Sequence, residues 1–192
     1  MIKLKKKIII SFMGVDGTGK TTLAKNLHKK IKKSQYLHLK PYIIFLDRRT
    51  VIKKPHLQKK SPIILSFIKF LSWLISYKIF FFQTKNNKIY IFDRYAHDVL
   101  IDPIRYKHNL SQRLTRFILT FFPNPDLWIF LNPPVKTIKS RKIELSDSEL
   151  KRQISGYSIF FKNKKNVLML DTRIKKNKLI DLISNKISTI IQ

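Results

Sequence analysis

The chain contains no cysteine, which excludes a disulfide framework and any thiolate metal site. Acidic residues are scarce: 11 Asp and Glu stand against 40 Lys and Arg, for a formal net charge of +29. Lysine supplies 31 of those cations and arginine 9. Glycine occurs only four times, and no long low-complexity linker or internal repeat is present, so a solenoid or a string of tethered modules is excluded. At 192 residues the chain fits one domain, 1–192, with a sizeable core. The lysines are scattered along the whole length. They fit either a compositional bias that fills solvated faces or an attraction to polyanions or an anionic membrane surface. No familiar docking motif accompanies the charge, so no specific nucleic-acid partner is expected. The basic start followed by Ile8-Ile9-Ile10-Ser11-Phe12 resembles the opening of a signal peptide. The apolar run is short and has no small-residue cleavage site, so export is rejected and a cytoplasmic location expected.

Three of the four glycines fall within six residues, in Gly14-Val15-Asp16-Gly17-Thr18-Gly19-Lys20-Thr21. This is the full P-loop pattern G-x-x-x-x-G-K-S/T. Gly14 and Gly19 let backbone N–H groups point inward around a phosphate chain. Lys20 brings a charge to the β- and γ-phosphates, and the Thr21 hydroxyl is a magnesium ligand. The bland alternative, a chance Gly-rich turn, is disfavoured by context. A β-branched apolar run precedes the motif, and Leu23, Leu27 and Ile31 form a helical stripe after it. The helix beginning at Lys20 would offer its positive end to the anion. The expected nucleotide-binding residues are thus Gly14, Gly17, Thr18, Gly19, Lys20, Thr21 and Thr22.

Strand and helix patterns alternate along the chain, which predicts an α/β fold: a parallel sheet of about five strands with helices on both faces. The strands are expected at Ile8–Met13, Gln35–Leu39 or Ile43–Leu46, Lys88–Asp93, Leu127–Asn132 and Val167–Asp171. The helices are expected at Lys20–Lys33, Pro62–Gln83, Ser111–Phe122, Pro134–Lys142, Ser146–Phe160 and Lys175–Ile191. Pro41–Pro62 is basic and without periodic signal, and reads as a loop. Pro62–Gln83 is nearly long enough to cross a bilayer, but Lys69 and Lys78 interrupt it and no second such segment exists. A buried central helix is the favoured reading, and a membrane-surface contact the lesser one.

The second informative segment is Ile89-Tyr90-Ile91-Phe92-Asp93-Arg94-Tyr95, an apolar strand ending in an acid and an arginine. Carboxyl ends of parallel strands face the ligand crevice. Asp93 is therefore expected near the P-loop, holding magnesium together with Thr21. The planar fork of Arg94 suits phosphate oxygens.

With these residues the chain resembles the thymidylate kinase family of P-loop nucleoside-monophosphate kinases. The likeness rests on Gly14-Val15-Asp16-Gly17, Asp93-Arg94-Tyr95, and Pro125-Asp126-Leu127-Trp128-Ile129-Phe130-Leu131-Asn132 with the helix reaching Arg141. The spacing of Gln153, Tyr157 and Asp171 adds to it. The stretch Asp93–Pro103 with Arg105-Tyr106 is similar to a subgroup often encoded beside surface-polysaccharide genes. The resemblance implies a three-layer α/β/α P-loop kinase fold, ATP and Mg²⁺, and a small-molecule phosphate acceptor, dTMP by family default. A homodimer and a weak membrane-surface contact are further expectations.

By the same resemblance, Lys20, Asp93, Arg94 and Arg141 are catalytic. Asp16, Arg94 and Tyr95 meet the acceptor, and Arg173 lies near the adenine, beside Thr172; His97, outside the family pattern, is a further candidate for the acceptor. The P-loop itself holds no arginine, so Arg141 is the expected transition-state cation, with Lys142 beside it and a lid over 141–152. Two departures concern the acceptor. Thymidylate kinases carry a thymine-reading helix arginine about twenty residues before Asp-Arg, where this chain has Leu71-Ser72-Trp73-Leu74. His97, Asp98 and Asp102 replace the family's usual residues after Tyr95. They fit an alternative substrate site, and His97 equally fits a structural cap. The leading expectation is an ATP-dependent nucleoside-monophosphate kinase. The alternatives are a kinase for another anionic or sugar-type acceptor in surface glycan assembly, and a nucleotide-dependent membrane- or nucleic-acid-binding protein.

Overall fold

The computed structural model describes residues 7–39, 59–141 and 145–191. The alternation expected from apolar periodicity is present: β1 (Ile8–Met13), α1 (Lys20–Lys30), β2 (Ser34–His38), α2 (Ile63–Gln83), β3 (Ile89–Asp93), α3 (Gln112–Leu119), β4 (Leu127–Leu131), α4 (Val135–Arg141), α5 (Asp147–Lys162), β5 (Val167–Leu170) and α6 (Lys176–Ile191). A short 3-10 helix, Ala96–Leu100, was not foreseen. The alternative strand Ile43–Leu46 and most of the Pro41–Pro62 loop lie outside the described residues, as do residues 142–144 of the expected lid.

The strands form one sheet in the order β2-β3-β1-β4-β5, and every pairing is parallel. β1 is central: Ile10 sits between Ile91 of β3 and Leu127 of β4. Its six residues are all buried, which explains its unbroken apolar character. The chain divides into two compact units. The first is Met1–His38, Lys85–Tyr95 and Asn124–Gln192, and the second Leu39–Thr84 and Ala96–Pro123.

The first unit contains the sheet and is layered on both faces. On one face Leu23, Ala24 and Leu27 of α1 and Leu179, Ile180, Ile183 and Ile187 of α6 join Ile10, Phe12, Ile91, Leu127 and Ile129 in one cluster. Period-two alternation sends Trp128 and Phe130 of β4 to the other face. There they meet Phe160, Phe161 and Tyr157 of α5, with ring centroids 4.9–5.9 Å apart. Each of these buried aliphatic and aromatic side chains contributes about 1.5–3 kcal/mol, so both helical layers are held by the sheet's side chains.

In the second unit, α2 buries a stripe of Ser66, Phe70, Trp73, Ser76, Tyr77 and Phe81 at helical spacing. Phe70 stacks on Phe122, and Trp73 meets the Tyr106 ring edge-on. The expectation of a buried central helix is corrected here. Ile63, Ile64, Leu65, Phe67, Ile68, Ile75 and Phe82 are exposed. A 21-residue helix that is apolar all round has more apolar surface than this one stripe of partners covers. Among the described residues α2 is one helix long and apolar enough to cross a membrane. Its exposed face is compatible with the lesser sequence reading, a membrane-surface contact.

Candidate active site

The turn between β1 and α1 has the backbone that its glycines allow. Gly14, Gly17 and Gly19 all have positive φ, at 139°, 83° and 91°. A Cβ on Gly14 would lie 2.6 Å from the Leu131 carbonyl oxygen, so only glycine fits against β4. Gly19 caps α1 without a side-chain acceptor, and no acidic residue occupies the first helical turn. The N-terminus of α1 is thus neither capped by a side chain nor neutralised by an acid, which suits an anionic ligand there. The loop also binds itself: the Thr18 hydroxyl donates to the Val15 carbonyl at 2.7 Å. The Lys20 ammonium donates to the same carbonyl at 2.7 Å.

Two of the expected cations converge on Asp16. Its carboxylate pairs with the Arg94 guanidinium and lies 3.8 Å from Lys20 Nζ. Arg94 sits just past the end of β3 with φ at +73°, a conformation a non-glycine residue adopts under strain. Its backbone N–H donates to Phe12 O at 3.0 Å, which ties the turn to β1. The strained turn aims the buried Arg94 side chain at the P-loop.

Asp93, the last residue of β3, is buried beside Thr21. Its Oδ2 accepts from the Thr21 hydroxyl at 2.6 Å and the Tyr36 hydroxyl at 2.9 Å, and lies 3.4 Å from His38 Nδ1. Burial pushes the carboxyl pKa up. The hydrogen bonds from His38 and Thr21 and the charges of Arg94 and Lys20 outweigh this and hold it well below the usual carboxylate range. Oδ1 of Asp93 is buried and, among the described residues, has no hydrogen-bond partner. A hydroxyl touching a carboxylate that keeps one oxygen undonated fits Mg²⁺, which takes few protein ligands and completes its shell with water and phosphate oxygens. Among the described residues no cluster of three His, Cys, Asp or Glu could hold a metal by itself. Tyr36 and His38 were not singled out from sequence. Their i, i+2 spacing on a predicted strand is the signal that places both on the face of Asp93.

Arg141 ends α4 and donates to the Thr172 hydroxyl at 2.9 Å and the Thr172 carbonyl at 3.0 Å. One guanidinium nitrogen lies 3.9 Å from where a Cβ on Gly19 would stand. This single arginine thus joins the end of β5 to the P-loop. Arg173 is placed differently: it is exposed and pairs with Asp171 at 2.7 Å. Thr22 is exposed on the first turn of α1. Of the expected lid, the described residues 145–152 run into the N-terminus of α5. There Ser146 caps the Glu149 N–H at 3.3 Å, and Arg152 pairs with Glu149 at 2.7 Å.

Tyr95, expected at the acceptor, has no accessible surface; its ring packs edge-on to Phe92 and Trp128 in the core of the first unit. The phenol is spent on packing rather than presented to a ligand. His97 belongs to the second unit and is buried in the 3-10 helix. Nearby, Asp98 accepts from the Tyr106 hydroxyl at 2.6 Å, and Asp102 accepts from Arg105 Nε at 3.1 Å. Both carboxylates have structural partners within that unit.

No protein-family profile matches the chain. It is 30% identical over 142 residues to a probable thymidylate kinase of Sulfolobus acidocaldarius, covering 69% of this chain and 68% of that one. It is 29% identical over 141 residues to a probable thymidylate kinase of Sulfurisphaera tokodaii, covering 68% of each. The thymidylate kinase structure from Candida albicans superposes with a TM-score of 0.67 at 19% identity, covering 97% of this chain and 94% of that one. A deoxyadenosine kinase from M. mycoides superposes at 0.61 with 18% identity, covering 95% and 100%. The two structural likenesses establish the fold. The relative at 30% identity over two thirds of both chains shows that the chain belongs to the thymidylate kinase family and is an enzyme of the nucleotide-kinase class.

Proposed function

We propose that the chain catalyses ATP-dependent, Mg²⁺-assisted phosphoryl transfer to a nucleoside monophosphate, dTMP to dTDP by family default. The observation that supports this most is the convergence of Lys20, Thr21, Asp93, Arg94 and Arg141 around one P-loop. Phosphoryl transfer asks the protein for positioning and charge neutralisation more than for covalent chemistry. The loop N–H groups and the start of α1 bind the donor phosphates. Lys20 leaves the Val15 carbonyl for phosphate oxygens, a better partner for an ammonium. Arg94 is held by Asp16 until an anion competes for it, and Asp16 is then released toward an acceptor hydroxyl. Arg141, anchored on Thr172, neutralises charge on the transferring group. Thr21 and Asp93 would hold Mg²⁺, which would supply screening of the phosphate charge. We take 1–192 as one kinase domain, working in the cytoplasm, with 141–152 closing over the phosphates to exclude water.

A second reading, a different anionic or sugar-type acceptor, is favoured by one observation. In the neighbourhood where the resemblance implies a thymine-reading arginine this chain has Leu71-Ser72-Trp73-Leu74, of which Trp73 is buried beside Phe70 and Tyr106. One experiment tests both: ADP release with the full chain across nucleoside monophosphates, nucleosides and sugar phosphates, beside Lys20→Ala. Turnover on a nucleoside monophosphate that the variant loses, with an unchanged thermal melt, is the expected result. Undiminished turnover in Lys20→Ala would remove the P-loop from the mechanism, and activity confined to sugars would favour the second reading.

A further inference from the structure

The β2 edge of the sheet, as the described residues form it, carries a second concentration of positive charge, separate from the P-loop. Here α1 and β2 wall a recess of about 480 Å³, within the size range of small-ligand sites, roughly 300–1,000 Å³. Among the described residues its lining is Lys25, His28, Lys29, Ser34, Tyr36 and Lys88, with Gln35 beside them and no carboxylate. The spacing makes this inevitable once α1 forms: residues 25, 28 and 29 share one helical face. Lys25 Nζ lies 5.9 Å from the centre of the Tyr36 ring, and the His28 ring is 6.5 Å from it. Lys88 donates to Gln35 at 3.2 Å. The Tyr36 hydroxyl is spent on Asp93, so it is the ring of Tyr36 that faces this recess. His28 is tied to the Ser34 hydroxyl at 2.8 Å, which fixes the wall between the lysines.

Three lysines around one concavity without a carboxylate repel one another unless an anion joins them. Among the described residues no acid lines the recess to neutralise them. The chemistry that matches is a short chain of phosphates, with several charges spaced along a flexible backbone. Lysine meets such a chain as a set of point charges, without the planar geometry that arginine would impose. A flat ring carried on the chain would find Tyr36 and His28.

We propose that the α1–β2 edge recess is a second polyphosphate-binding site, distinct from the donor site, for a nucleotide or for inorganic polyphosphate. The test is calorimetric titration of the full chain at physiological salt with inorganic tripolyphosphate and with dTTP. Two classes of site are expected. Lys20→Ala should remove one, and Lys25→Gln/Lys29→Gln should weaken the other by roughly tenfold or more. A control that deletes equal charge elsewhere, Lys175→Gln/Lys178→Gln, should leave both. Tighter binding of dTTP than of tripolyphosphate at the second site identifies a nucleotide as its ligand, and equal binding identifies the inorganic chain. A single class of site lost in Lys20→Ala, or equal weakening by the control pair, would overturn the proposal. Two sites of which Lys20→Ala removes neither would instead count against the P-loop reading and leave the edge site standing.

Discussion

His108 gives the second unit a sharp dependence on acid. The imidazole is buried, bonded to the Thr115 hydroxyl at 2.7 Å and set edge-on to Phe70, with ring centroids 5.0 Å apart. Burial, and then the charges of Lys69 and Lys60, lower its pKa from 6.5 to about 4. Lys69 is itself lowered by burial and by Lys107 while it donates to Tyr106 O, so a second cation beside it is disfavoured. The folded pKa lies below the unfolded one. The stabilisation is therefore fully present above pH 6.5 and declines as pH falls toward 4, because the unfolded chain takes up the proton first. A shift of this size corresponds to about 3 kcal/mol across that window. Asp93 works in a separate range: its depressed carboxyl contributes above the ordinary carboxylate pKa and loses that contribution only at lower pH. Urea unfolding of the wild type and His108→Gln at a series of pH values from 7.5 to about 4 measures the effect. The wild type should lose about 3 kcal/mol more than the variant over this span, with the loss beginning near the ordinary imidazole pKa. Parallel stability curves for the two proteins would refute the reasoning, whatever the offset between them.

The remaining predictions concern the site. Arg141→Ala should slow the chemical step by roughly 10³ to 10⁵ while ATP affinity changes far less. Single-turnover kinetics reads the two separately, and an unchanged chemical step would move the role to Lys142 or Arg152. Gly14→Ala forces a Cβ to 2.6 Å from the Leu131 carbonyl at positive φ, so it should lower stability by about 1–3 kcal/mol and weaken nucleotide binding; a wild-type melting curve with normal ATP affinity would contradict the packing. The lack of an arginine at 71–74, where the resemblance implies a thymine-reading one, predicts little discrimination in kcat/KM between dTMP, dUMP and dCMP, because a site without that polar partner leaves nothing there unpaired by the wrong base. A strong dTMP preference would show that another residue reads thymine.

How much of this was legible beforehand follows the range of the forces involved. Strand and helix positions came from side-chain periodicity, which is local: β1 matches its expected bounds, and β3, β4 and β5 differ by one residue at one end. The P-loop was equally legible, because its glycines answer a backbone demand written within eight residues. The pairing of Asp93 with Thr21 followed from strand polarity, since parallel strands bring their carboxyl ends to one edge.

Other features depend on long-range packing. No local pattern shows that Tyr95 fills the core behind β4 or that Arg173 turns outward to Asp171. The same holds for Tyr36 and His38, which meet Asp93 only because β2 pairs with β3 across more than fifty residues of chain. The burial of α2 was misread for a related reason. Hydrophobicity states what a helix would gain by being covered, but how much of it is covered depends on the partners the tertiary structure supplies. Sequence by itself thus determined the elements, the phosphate loop and the family. The tertiary structure decided which charged and aromatic groups face the phosphates and which are consumed by packing, because contacts between distant segments have no signature in either segment alone.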